Sequence, residues 1–159
     1  LVGVLRKYGE IKNPRKLASE IIQKRVGAPL VTTREFIALL SKMAPKFKEH
    51  RYYAQVFQAL RIEVNKELEV LEQFLVQASD LLNPGGRLVV LSYHSLEDRI
   101  VKNYIKKGNF EGVMKKDFYG NPMKPLMEIN RKPITPEEIE MSKNSRSRSA
   151  KLRIAEKNG

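Results

Sequence analysis

The stretch Arg87 to Lys102, RLVVLSYHSLEDRIVK, sets Ser92, His94 and Ser95 directly behind the apolar run Leu88-Val89-Val90-Leu91. An imidazole flanked by hydroxyls can accept or relay a proton near neutral pH, or orient a bound ligand. The same histidine can equally fix a strand-to-helix turn through hydrogen bonds to the backbone. Both readings of His94 stay open, with Ser92 and Ser95 beside it as candidate ligand-contacting residues. Glu97, Asp98, Arg99 and Lys102 follow at three- and four-residue spacing, the pattern of ion pairs along a helix, with contact of Arg99 or Lys102 to a polyanion as the alternative.

A second group is Lys143 to Arg153, KNSRSRSAKLR, in which five cations sit among small hydroxyl residues. Lysine and arginine supply salt-dependent affinity for phosphates and serine adds positioning hydrogen bonds, so Lys143, Arg146, Arg148 and Lys151 are candidate phosphate contacts. Alternatively Arg148 and Arg153 pair with Glu97 and Asp98 and fix the last strand against a helix. A third group, Gln58, Arg61, Asn65 and Glu72, falls along one edge of an apolar stripe. It bonds a neighbouring element, lines a cleft where Arg61 and Asn65 would touch substrate, or is a solvated edge.

These groups need elements to hold them. Leu88 to Leu91 follow the turn Asn83-Pro84-Gly85-Gly86 and read as a strand buried on both faces, whose carboxyl end is where open α/β sheets bind ligands. Ser95-Leu96-Glu97-Asp98 resembles a capping box opening a helix over roughly 96 to 107, with Ile100, Val101, Tyr104 and Ile105 inward. Ahead of the strand, Tyr53, Phe57, Leu60, Val64, Leu68, Leu71, Leu75, Ala78 and Leu82 recur at steps of three and four. They predict one long helix that joins the strand as the αβ half of a parallel crossover.

Nearer the start, Asn13 and Pro14 open a helix with Leu17, Ala18, Ile21 and Ile22 inward, closed by Gly27 and Pro29. Thr32 and Glu35 form a capping-box signal for a helix burying Phe36, Ile37, Leu39, Leu40 and Met43. Residues 1 to 50 thus read as a helical unit and 51 to 159 as an α/β body. Phe110 to Met114 and Ala150 to Ala155 are the remaining strand candidates. A polar connector with Gly120, Pro122, Pro125 and Pro133 lies between them, followed by a short helix capped by Thr135 with Pro136 first.

The chain has 159 residues, with 30 Lys and Arg against 18 Asp and Glu, a net charge of +12 and a pI near 9.9. Such an excess favours a polyanionic partner, or else serves solubility. Without cysteine, and with only His50 and His94 as histidines, disulfides and thiolate metal sites are excluded and no metal is expected. No apolar run approaches a bilayer span, so no membrane partner is expected and a cytoplasmic location is the default. Leu1 rather than Met, and a helix entered partway, suggest an excised piece.

FQALRIEVNKELEVLE (57 to 72), GGRLVVLSYHSLEDRIVK (85 to 102) and SRSRSAKLR (145 to 153), with Tyr8-Gly9-Glu10, LASEIIQKR (17 to 25) and Thr32-Thr33, together resemble the carboxyl-terminal half of the RsmH/MraW family. Its members are S-adenosylmethionine-dependent methyltransferases acting on N4 of a cytosine in 16S ribosomal RNA. The resemblance implies a Rossmann-like (class I) methyltransferase domain, with residues 1 to 50 as the later part of an inserted helical domain and 51 to 159 as the end of the catalytic domain. It places the glycine-rich cofactor loop and the ribose-binding acid upstream, leaving no cofactor-binding residue here, so the piece alone is expected to be inactive. A non-catalytic basic RNA-binding module is the alternative. The chain departs from the family pattern at Tyr53-Ala54-Gln55-Val56, where a threonine- and arginine-bearing run is usual, and at Tyr93 and Ser145, where phenylalanine and proline are usual.

Overall fold

Four helices organise residues 1–67 of the computed structural model, which describes residues 1–159. They are α1 (Val2–Lys7), α2 (Pro14–Gly27), α3 (Thr33–Ser41) and α4 (Glu49–Asn65). Leu5, Ile11, Leu17, Ala18, Ile21, Leu39, Leu40 and Val56 are buried together as their core. Thr32 caps α3 as expected: its hydroxyl accepts from Glu35 N at 3.2 Å, and the Glu35 carboxylate accepts from Thr32 N at 3.1 Å. Asn13 precedes α2 but its side chain makes no capping bond, and Ile22, expected inward, is 55% exposed.

The long helix expected from Tyr53 to Leu82 is two helices. Lys66 takes a left-handed conformation, φ 52°, and separates α4 from α5 (Glu67–Leu81). The inward residues of α4 are Val56, Ala59 and Ile62, whereas Val64 of the expected stripe is 79% exposed. A single left-handed residue redirects the chain without interrupting apolar periodicity, which is why the pattern reads as continuous. Since α4 packs on α1 and α3, the compact units divide between Glu67 and Leu68, whereas the expectation put a boundary near residue 50. A side chain in the left-handed region costs roughly 1 kcal/mol that glycine avoids. Lys66→Gly is therefore expected to stabilise the helical unit by about 0.5 kcal/mol after the added unfolded-state entropy, read as a higher urea midpoint.

Residues 68–159 form a mixed α/β unit around a three-stranded sheet in the order β1-β3-β2. Here β1 is Arg87–Ser92, α6 is Ser95–Lys107, β2 is Leu126–Glu128, α7 is Glu138–Lys143 and β3 is Lys151–Lys157. Both β1 and β2 pair antiparallel with β3, with Val90 opposite Arg153 and Glu128 opposite Ala155. They therefore run parallel to each other, joined through α6, with β3 between them. The neighbour of β1 comes from the later Ala150 to Ala155 segment. The second strand is not Phe110 to Met114: that segment is a turn in which Gly112 has φ 78° and Asn109 bonds both Gly112 N and Val113 O.

β1 is buried on one face, not two. Leu88, Val90 and Ser92 are covered, while Val89 and Leu91 are 55% and 49% exposed. Leu75 of α5, Val101, Tyr104 and Ile105 of α6, Leu126 and Ala155 complete the core on the covered face. Ser79 Oγ and Tyr104 Oη, 2.8 Å apart, satisfy each other inside it. Thr135 and Pro136 lie ahead of α7, whose N-cap is Glu137 without a side-chain bond, so the expected Thr135 cap is absent. No helix is long and apolar enough to cross a membrane.

Candidate functional site

The apolar alternation of β1 ends at Ser92, and the chain turns at once into α6. The residue at the turn is His94, which occupies the N-cap position expected for Ser95. Its Nδ1 accepts from Glu97 N at 3.3 Å, while the Glu97 carboxylate accepts from Tyr93 N at 2.9 Å and His94 N at 3.3 Å. This is a capping box with imidazole in place of the usual hydroxyl. The second ring nitrogen, Nε2, is buried and lies 3.2 Å from Glu97 Oε1 in a geometry that makes no hydrogen bond. Burial works to raise the Glu97 carboxyl, but the hydrogen bonds from His94 and the Tyr93 backbone outweigh it and hold the group below its ordinary value.

Ser92 is buried and Ser95, first in α6, is exposed. The structure thus brings the three sequence-selected residues to one turn but gives them different surroundings.

Three residues beyond Ser95, Asp98 is buried and receives Arg153 Nε at 2.7 Å, Arg153 Nη2 at 3.3 Å and Lys151 Nζ at 3.3 Å. Burial again pushes the carboxyl up, and the hydrogen bond and charge of Arg153, with Lys151, overcome it and hold Asp98 below its ordinary value. The basic run is therefore divided. Lys151 and Arg153 fix β3 to the start of α6, while Lys143, Arg146 and Arg148 are exposed and reach no carboxylate. Between them Ser147 is buried and donates to Asn144 O at 2.8 Å, which anchors the 3-10 turn Ser145–Ser149 that carries both arginines.

The polar row on α4 makes internal contacts. Arg61 donates to both oxygens of Glu67 at 2.8 and 3.1 Å, and Asn65 donates to Glu67 at 3.1 Å. Gln58 donates to Tyr8 O at 3.3 Å. Arg61 and Asn65 are thus engaged at the α4 terminus, where they hold the residue after Lys66.

A concavity of about 510 Å³ in the helical unit, rimmed by lysines from several segments, was not marked by any local sequence pattern. Its cations stand at Lys12, Lys16, Lys42, Lys48 and Arg51. Only the fold collects them.

Known proteins resemble the chain along its whole length. It is 50% identical over 157 residues to the ribosomal RNA small subunit methyltransferase H of Cytophaga hutchinsonii, covering 99% of this chain and 52% of that protein. The protein of the same name from Bacteroides fragilis strain YCH46 is 52% identical, again over 99% of this chain and 52% of the relative. That from Amoebophilus asiaticus is 50% identical over 99% of this chain and 51% of the relative. The chain spans about half the length of the curated relatives it matches. Because the family model described as MraW methylase matches residues 1–158, taking in the helical unit, the His94 turn and the basic run alike, the chain belongs to the MraW methylase family.

Proposed function

We propose that this chain is the carboxyl-terminal half of an S-adenosylmethionine-dependent methyltransferase that modifies N4 of a cytosine in 16S ribosomal RNA. The match to the MraW methylase family over residues 1–158 carries the reading, and the relatives' names, ribosomal RNA small subunit methyltransferase H, support the small-subunit RNA as substrate. In this reading residues 1 to 50 end an inserted substrate-recognition domain, and the β1-β3-β2 sheet is the end of a Rossmann-like catalytic domain in the cytoplasm.

The methyl donor, which supplies an electrophilic methyl group when bound, does not fit the residues present. The chain's one glycine pair is committed to its own backbone: Gly85 N donates to Lys157 O at 3.1 Å, Lys157 N donates to Gly86 O at 2.8 Å, and a Cβ on Gly86 would meet Asn83 O at 2.9 Å. The acids nearest the β1 end, Glu97 and Asp98, are engaged by the α6 cap and by Arg153. No step through the donor is assigned to these residues.

What this half contributes is placement of the base. The cytosine amine lone pair is delocalised into its ring, so reaction depends on orientation and on hydrogen bonds to the base. With Nδ1 accepting from Glu97 N, the neutral His94 ring carries its proton on Nε2. His94 then acts as a hydrogen-bond donor that orients the base, with Ser92 and Ser95 beside it. The exposed Lys143, Arg146 and Arg148 hold RNA phosphates. Arg61, Asn65 and Lys151 bond Glu67 and Asp98 within the chain but keep free N–H donors, and are secondary RNA contacts in this reading.

Methyl transfer to small-subunit RNA, measured for this chain alone and for a longer polypeptide restoring the other half, tests the reading. Only the longer protein should methylate. A folded, donor-binding longer protein that leaves cytosine N4 unmodified while still binding RNA tightly would favour the non-catalytic RNA-binding module. In RNA titrations, Arg146→Ala with Arg148→Ala should reduce the slope of log affinity against log salt by about 0.7 per lost phosphate contact on single-stranded RNA. An unmoved slope assigns these arginines no phosphate.

A further inference from the structure

The concavity of the helical unit has the dimensions and lining of a nucleotide site. Its volume, about 510 Å³, lies within the range of small-molecule pockets. Ile11, buried, and Met43 and Tyr52, both half-buried, give it an apolar floor. Burial pushes the Tyr52 hydroxyl above its ordinary value, so the ring stays neutral. The rim is cationic and all five cations, Lys12, Lys16, Lys42, Lys48 and Arg51, are exposed with no carboxylate at ion-pair distance. Glu10 is the one acid among the lining residues.

Unpaired like charges gathered on one rim repel each other, and a bound anion would offset that cost. Beside the rim, between Pro45 and Lys48, Phe47 is 96% exposed and held at φ 64°, with its N–H donating to Glu49 Oε1 at 3.1 Å. A left-handed backbone that presents a bare aromatic ring to water is unfavourable on two counts. Stacking on a flat partner recovers part of it.

We infer that this cavity binds single-stranded RNA, one unstacked base lying against Tyr52 and Met43, the flanking phosphates on the cationic rim, and a neighbouring base on Phe47. An acidic peptide would use the same cations but gains nothing from the two aromatic faces, whereas bases stack on aromatic rings irrespective of sequence. The choice of RNA rests on the function proposed above. The site adds to that function a second hold on the strand, carried by residues 10–55 and separate from the Lys143 to Arg148 run.

Fluorescence anisotropy of a labelled oligocytidylate RNA with the full chain, over a salt series, tests the inference. Lys16→Ala with Arg51→Ala should lower the salt slope by about 1.4, at about 0.7 per phosphate, and weaken binding by about tenfold at moderate salt. Phe47→Ser, at a solvent-exposed position, should weaken binding by about tenfold and leave the slope unchanged, while Tyr52→Phe binds as the parent. If the charge variant, folded by circular dichroism, binds with unchanged slope while Arg146→Ala with Arg148→Ala loses binding, the cavity is not the site and the RNA reading stands. Equal competition by polyglutamate, with no effect of Phe47→Ser, marks a general anion surface and overturns the inference. Absence of RNA binding by this chain, with methylation intact in the longer protein, overturns the inference alone; loss of both overturns the proposed function as well.

Discussion

Asp98→Ala is expected to destabilise the α/β unit by about 3 kcal/mol, the lower end of the range for breaking a buried ion pair. It leaves the Arg153 guanidinium, with a side chain only 8% exposed, without its bidentate partner in the sheet. For a domain of this size that is a fall in Tm of roughly 10–20 °C in calorimetry. The double variant Asp98→Ala with Arg153→Met should recover most of the loss, because an apolar pair of similar volume avoids both desolvation penalties. A double variant as unstable as Asp98→Ala would show that the pair is not what fixes β3 to α6. The pH dependence has a definite sign: the folded carboxyl titrates below the unfolded one, so its stabilisation is complete above about pH 4 and is lost as pH falls through the lower folded value. Glu97 acts in the same direction. Parent stability should fall more steeply below about pH 4 than that of the double variant.

That pair also marks how far local reading carries. Pairing of Asp98 with Arg153 stands as one of two readings of the basic run, because opposite charges near a strand end and a helix start are visible in sequence. Which of the five cations pair is not, since that depends on strand register: Arg153 lies opposite Val90 on the covered face, while Arg146 and Arg148 precede the strand on an exposed turn. Features decided within four residues, such as the Thr32–Glu35 box and the β1–α6 turn, are legible. The α6 cap is displaced by one residue because serine is the common N-cap and histidine is not. The break at Lys66 leaves no mark in periodicity, and β2 is three residues beside Pro125, too short to register as alternation. One-sided burial of β1 follows from α5 and α6 covering the Leu88 and Val90 face alone, a long-range fact. The cationic cavity is the extreme case, drawn from α2, α4 and the connections before them, with no two lysines forming a motif.

His94→Ala, in the longer polypeptide that restores the other half, is expected to slow single-turnover methylation by roughly 10²-fold, the size of a lost orienting hydrogen bond in a closed site. The substitution also removes an N-cap acceptor, which costs about 1 kcal/mol of stability. The two effects are separable. Asparagine is a strong N-cap residue and can accept from Glu97 N as Nδ1 does, but it is too short to supply a donor at the position of Nε2. His94→Asn should therefore regain parental stability and keep the slow methylation, with RNA affinity unchanged. Parental turnover in His94→Asn would confine His94 to the cap and move base orientation to Ser92, Ser95 or the other half of the protein. Glu97→Gln isolates the remaining link: it keeps an acceptor for Tyr93 N and His94 N but removes the carboxylate charge 3.2 Å from Nε2. If that charge holds the ring in its Nε2-protonated form, Glu97→Gln slows methylation, and the slowing disappears when His94 is already asparagine.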